Sequence, residues 1–204
     1  MTDLHAVEPV SIDRLAQLCE LIDADYAILE APRATGVADT HADEVVDRSL
    51  GDDDASNTGD ADNAGDEAGT TFHRVLQTGI PHIAVHCDLN EEGDTLSAFA
   101  TWEGTLPESA EEEVAATVAE LNWASVAPTL SYFVADGPEE PSDGAEVQLC
   151  ANRAMAVGEG LSLTQLGHFL LSSLASFAEI FEIVAERFPQ AVTWNDTQEQ
   201  EAED

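Results

Sequence analysis

A serine that could act as a nucleophile stands in the segment Gly160-Leu161-Ser162-Leu163-Thr164. It lies between a predicted strand and a predicted helix, which is the setting of the nucleophilic serine in α/β-hydrolases. That motif requires glycine at the position of Thr164 and, further along, an acid followed by a histidine, and neither is present. Ser162 with Gln165 three residues later matches a capping box at a helix start. We therefore predict that Ser162 and Gln165 cap the last helix, with a cryptic serine hydrolase using Ser162 as the alternative.

Potential metal ligands crowd one region, which contains His73, His82, His86 and Cys87. Residues 82–89 alternate between polar and apolar types, and this alternation predicts a strand. In a strand the rings of His82 and His86 lie on one face about 13 Å apart, while Cys87 points to the other face. A zinc ion binds nitrogen at about 2 Å, so one ion cannot contact both rings. We predict no metal, no cofactor and no catalytic residue.

The charge of the chain is strongly one-sided. It carries 42 Asp and Glu against 6 Lys and Arg, all six being arginine, for a formal net charge of -36. Such a surface repels itself in dilute buffer, whereas at about 1 M salt the Debye length falls to about 3 Å and the repulsion is screened. We interpret the composition as halophilic adaptation to a salt-accumulating cytoplasm. The same charge disfavours binding to nucleic acid or to an anionic membrane surface, since both require clusters of basic residues.

The sequence also predicts a cytoplasmic location. No apolar stretch follows basic residues near the N-terminus, so we expect no signal peptide. The uncharged part of the last predicted helix, Leu163 to Ala178, is shorter than the roughly 20 apolar residues of a membrane span. The three cysteines are far apart, without a CxxC pair. They are therefore expected to be buried free thiols in a reducing compartment.

The periodicity of apolar residues predicts a single α+β domain over residues 1–193. The expected order is α-β-(insertion)-β-β-α-β-β-α, with residues 34–71 as a disordered acidic insertion and 194–204 as an acidic tail. Phe72 to Gln77 is a candidate for an additional edge strand. The insertion is assigned because its segment 51–69 lacks large apolar side chains and cannot offset its ordering entropy. Because βαβ units do not alternate along the chain, we predict an antiparallel sheet with packed helices.

The last predicted helix, Ser162 to Phe188, is unusual in this acidic chain because its first four turns are uncharged. Its apolar side chains cover more than one stripe, and a helix that is apolar on most sides is covered on most sides. We predict a homodimer or a stable complex with a protein partner, with Phe169, Leu170 and Phe177 at the core or the contact surface. A fully intramolecular core helix is the alternative.

Residues 121–189 resemble the YbjN-type proteins, a family labelled as sensory-transduction regulators that share the type III secretion chaperone-like fold. The resemblance rests on Leu121-Asn122, Tyr132-Phe133, the strand Glu146 to Val157 and the turn Gly160-Leu161-Ser162 before the final helix. Recurring features of that family are an Asn at the end of the middle helix and a Gly-Leu/Val-Ser/Thr turn, while the acidic insertion is a departure. The resemblance implies a non-enzymatic, often dimeric binding module.

The predicted function is therefore a non-catalytic, chaperone-like or regulatory module that binds another protein. Two alternatives from other classes are the hydrolase using Ser162 and a small-ligand sensor with a pocket between sheet and helix.

Overall fold

The computed structural model describes residues 4–32, 72–135, 144–192 and 194. The predicted insertion 34–71 lies outside the described residues, as does the predicted tail apart from Trp194. The described part contains three α-helices: α1 (Ile12–Leu21), α2 (Glu111–Ala124) and α3 (Leu163–Arg187). It also contains six strands: β1 (Ala27–Pro32), β2 (Phe72–Ile80), β3 (Ile83–Leu89), β4 (Thr95–Pro107), β5 (Thr129–Ala135) and β6 (Glu146–Ala156).

The chain divides into two compact units. The first comprises residues 1–29 and 74–204, and the second is Glu30–His73. Within the second unit the structure describes residues 30–32 and 72–73, which are the end of β1 and the start of β2.

The six strands form one sheet in the order β1-β2-β3-β4-β6-β5. The pairs β2–β3, β3–β4, β4–β6 and β6–β5 are antiparallel, and the register places Val85, Ala100, Ala151 and Leu130 side by side across four strands. The predicted α+β class with an antiparallel sheet is thus confirmed. The candidate edge strand over residues 72–77 is present as β2, but it lies between β1 and β3 and not at the edge of the sheet.

One face of the sheet carries the hydrophobic core. All three helices contribute to the same buried cluster as the inward residues of β3, β4 and β6. The largest fully buried side chains are aromatic: Trp102, Phe177, Phe181 and Phe188. The opposite face bears two partly exposed aromatic side chains, Phe99 and Phe133. In the alternation of β4, position 99 falls on this outer face, and the register pairs Phe99 with His86 of β3.

Helix α3 begins as the sequence predicts. Ser162 Oγ accepts a hydrogen bond from the backbone N–H of Gln165 (3.2 Å), and Gln165 Oε1 accepts one from the backbone N–H of Ser162 (2.8 Å). This reciprocal pair is the capping box. Over an 18-residue window the mean hydropathy of α3 is 1.4, enough for a membrane-spanning helix by length and composition. In this structure Leu166, Phe177 and Val184 instead pack into the core of the protein.

The turn between β2 and β3 corrects one expectation. The alternation predicted that His82 belongs to the strand. In the structure β3 begins at Ile83, and His82 lies before it with a φ of 65°. Pro81 and His82 form the two-residue connection of a hairpin. Because proline holds its own φ at about −65°, positive φ at the following residue is the pattern of a type II turn. The His82 ring stacks on Trp194 at 4.2 Å between centroids.

Candidate functional site

The three residues predicted for association are core residues of the single chain. Phe169, Leu170 and Phe177 are 6%, 1% and 0% exposed, and all three belong to the main hydrophobic cluster. Their burial accounts for part of the apolar composition of α3 within one copy of the protein. The association of α3 with a partner stays a prediction, and any such contact must use other positions.

The predicted nucleophile has a structural role. Ser162 is buried, and its hydroxyl oxygen accepts the hydrogen bond of the capping box. Among the described residues no histidine or carboxylate hydrogen-bonds to this hydroxyl. The arrangement is that of a helix cap.

The histidines and cysteines also lie apart. His82 Nδ1 is 2.8 Å from Glu103 Oε2. His86 lies on β3 opposite Gln77 and Phe99. Cys87 is buried on the inner face, where burial raises the pKa of its thiol to about 12. In the part of the chain that the structure describes, no three His, Cys, Asp or Glu side chains are grouped so that they could hold a metal ion.

The connection between α2 and β5 stands out as a candidate binding surface. Its conformation is fixed by Asn122, whose Nδ2 donates to the carbonyl oxygen of Leu130 and whose Oδ1 accepts from the N–H of Leu130, both at 2.8 Å. Ser125 Oγ donates to the carbonyl oxygen of Ala127 (2.9 Å). Since Leu130 is a buried residue of β5, this pair of hydrogen bonds ties the last turn of α2 to the sheet.

Between this connection and α3 lies a cleft of about 250 Å³, called here the α2–α3 cleft. It is lined on one side by Leu121, Ala124, Ser125, Ala127 and Pro128, and on the other by Ser176, Glu179, Ile180 and Ile183. Most of these groups are apolar, and Ile183 is 39% exposed. Such a cleft can accept an apolar side chain while keeping one carboxylate, that of Glu179, within reach.

Two large apolar side chains near the cleft point into solvent, one in the last turn of α2 and one in the connection. Trp123 is 94% exposed and Val126 is 104% exposed, and in the chain Val126 stands between the lining residues Ser125 and Ala127. The helical spacing in the sequence indicates the exposure of Trp123. At about 100° per residue it lies about 180° from Val114 on α2, opposite the buried stripe. No comparable signal predicts Val126.

All four arginines in the described residues are engaged in structural contacts. Arg14 donates to the carbonyl oxygens of Glu8 (2.7 Å), Pro9 (3.2 Å) and Leu161 (2.8 Å). Arg74 pairs with Asp13, and Arg153 donates to Ser172 Oγ and lies over the ring of Phe169. Arg187 pairs with Glu120 at 2.7 Å and 3.2 Å, and this hydrogen bonding lowers the pKa of Glu120. These cations are therefore already occupied.

Glu179 differs from Glu120. It lines the α2–α3 cleft, is exposed, and has no salt-bridge partner among the described residues. Glu182 and Glu186 follow at spacings of three and seven residues on the exposed side of α3. The cleft thus combines apolar walls with a negatively charged margin.

Together these features define an α+β protein that holds a small, acid-rimmed apolar cleft at the helix side of a six-stranded antiparallel sheet. No family model matches the chain, and no curated protein matches it. Among solved structures, it is similar to the crystal structure of YbjN from E. coli, which is described as a proposed transcription regulator. The match covers 89% of this chain and 97% of that chain, with 14% identity and a TM-score of 0.49. Membership of the YbjN-type family stays a prediction.

Proposed function

We propose that this protein is a non-catalytic, chaperone-like or regulatory module that binds another protein through the α2–α3 cleft, in a salt-adapted cytoplasm. The observation that carries the proposal is the position of Val126. It is fully exposed, beside an apolar cleft, on a connection fixed by two hydrogen bonds from Asn122. A chain with a net charge of -36 has many acidic side chains for its surface, so apolar groups held at one exposed place favour a contact role.

The size of the cleft favours a protein over a free small molecule. Pockets for drug-sized ligands are about 300–1,000 Å³ and bury most of the ligand surface. The α2–α3 cleft, at about 250 Å³, is smaller and open to solvent. It suits one or two side chains of a partner whose remaining surface rests on the exposed rim.

Apolar burial could drive such a contact. Covering a fully exposed valine such as Val126 contributes about 1.5 kcal/mol or more, and Ile183, which is 39% exposed, adds a smaller amount. Because the connection is already ordered by Asn122, little additional ordering cost arises on binding.

The proposal is tested by affinity capture from native lysate at high salt with three baits: the wild type, Val126→Asp and the control Leu171→Asp. Leu171 is an exposed apolar residue of α3, three turns from Ile183. We expect a protein that the wild type and the control both capture and that Val126→Asp loses. Identical capture by all three baits would rule out the cleft as the binding site.

A further inference from the structure

We infer that the α2–α3 cleft takes an apolar side chain from a partner segment in which lysine or arginine flanks that side chain. This inference rests on the proposed function and specifies the chemistry of the partner.

The apolar part follows from the walls of the cleft. Leu121 and Ile180 form opposite sides, and Ile183 continues the α3 side toward solvent. A charged or strongly polar group inserted here would lose hydration without a matching set of hydrogen bonds. An aliphatic or aromatic side chain has no hydrogen bonds to water to lose, and its burial in the cleft removes apolar surface from water.

The cationic part follows from the margin. Glu179 has no salt-bridge partner among the described residues, and Glu182 and Glu186 extend the negative charge along α3. Arg187 follows Ile183 by one turn of α3, and both of its bonding nitrogens already contact Glu120. An incoming carboxylate would therefore meet like charge, whereas a lysine or arginine could pair with Glu179.

A second copy of the chain fits the cleft poorly. It would bring a net charge of -36 and only six basic residues, and the four arginines that the structure describes are already bound to other groups. Electrostatic complementarity selects partners by excluding like charge. The occupant is therefore a different protein with local positive charge.

The test must separate specific pairing from general attraction, because any cationic peptide is attracted to so acidic a protein. We would measure binding by fluorescence anisotropy at about 1 M potassium chloride, where the Debye length of about 3 Å leaves only contacts at short range. The probes are three short labelled peptides: leucine flanked by lysines, leucine flanked by glutamates, and serine flanked by lysines. The expected result is binding of the first peptide alone.

Variants on the protein then assign the contact. Glu179→Gln should weaken binding of the lysine-flanked peptide about two- to fivefold, as expected for an exposed ion pair. Ile183→Ala should weaken it about tenfold through lost apolar burial. Two exposed controls, Glu159→Gln in the β6–α3 turn and Leu171→Ala on α3, should leave the affinity unchanged.

Three results would overturn the inference. Equal binding of the glutamate-flanked peptide, sensitive to Ile183→Ala, would keep the cleft as the site but exclude a cationic partner. No peptide binding, combined with a captured protein that depends on Val126, would refute the partner chemistry and leave the proposed function standing. A concentration-dependent dimer of the wild type in light scattering that Ile183→Asp converts to a monomer would identify the occupant as a second copy.

Discussion

Replacement of Asn122 should remove the hydrogen bonds that hold the α2–β5 connection, which carries part of the proposed binding surface. Its side-chain amide forms two 2.8 Å hydrogen bonds with the backbone of Leu130, one as donor and one as acceptor. Leu130 is 1% exposed, so its N–H and C=O have little access to water. Asn122→Ala removes both partners and leaves both backbone groups unsatisfied.

The magnitude can be worked out from these two bonds. A buried polar group that loses its partner costs about 1–3 kcal/mol, and Asn122 is only half-buried, so some water can enter. We expect Asn122→Ala to lower the free energy of unfolding by about 2–4 kcal/mol, from the lower part of that range for each group. For a chain of about 200 residues this corresponds to a drop in Tm of roughly 5–15 °C.

Asn122→Asp is the matched variant, since it keeps the shape and the acceptor for the Leu130 N–H but places an oxygen against the Leu130 carbonyl. At neutral pH it should be at least as destabilising as Asn122→Ala. The protonated carboxyl can again donate a hydrogen bond to the Leu130 carbonyl oxygen. The loss of stability relative to the wild type should therefore become smaller as the pH falls through the pKa of the new carboxyl.

Urea denaturation followed by circular dichroism, at one fixed salt concentration, measures these differences without changing ionic strength. The control is Asn152→Ala, an exposed position on the outer face of β6, which should change stability by less than about 0.5 kcal/mol. If Asn122→Ala proved as stable as this control, with an unchanged denaturant slope, the account of the connection would be refuted.

Four further predictions follow from single features. Gly104→Ala should lower the free energy of unfolding by about 1–3 kcal/mol, because the added Cβ would lie 2.5 Å from two ring atoms of the buried Trp102. The control Gly144→Ala, whose added Cβ has no atom within 4 Å, should leave the free energy of unfolding measured by denaturation nearly unchanged. The three buried cysteines should react with a thiol reagent only slowly until the protein is unfolded, because burial raises the pKa of each thiol; rapid reaction of the folded protein would contradict this. Hydrogen bonding from Arg74 lowers the pKa of Asp13, so the stabilisation from this pair is present above the ordinary carboxyl pKa and is lost as pH falls through the lowered value; carboxyl NMR titration should show the Asp13 midpoint rise in Arg74→Met. Thermal midpoints should rise between about 0.1 M and 2 M potassium chloride as screening increases, and an unchanged midpoint would contradict the halophilic interpretation.

The sequence predicted those elements whose pattern is local. Alternation fixed the faces of β3 and β4, so that Val85 and Ala100 are neighbours on the buried side. The Ser162–Gln165 spacing predicted the start of α3 because a capping box depends on two side chains three residues apart. The long apolar face of α3 was also evident.

Features that depend on distant parts of the chain were not predictable. The sequence offered β2 only as a candidate edge strand, because its residues carry no clear alternation. Its place between β1 and β3 depends on pairing with distant residues, for example Leu76 with Cys87. The sequence did not indicate which sides of α3 meet the sheet and α1, so it could not place Phe169 and Phe177 in the core. The α2–α3 cleft joins segments about 50 residues apart and arises only when the helices pack.

The same packing determines which ligands the protein can bind. Every described arginine is bound to a carbonyl, a hydroxyl or a carboxylate, so an anionic ligand would have to break a structural contact to find a cation. An apolar ligand needs no such exchange at the α2–α3 cleft, where the lining residue Ile183 is partly exposed and Val126 stands exposed beside the cleft. A partner with positive charge next to an apolar side chain gains both the apolar burial and the pairing with Glu179. Because the described arginines all serve the fold, the proposed specificity for such a partner would come from the acidic side chains beside the apolar cleft.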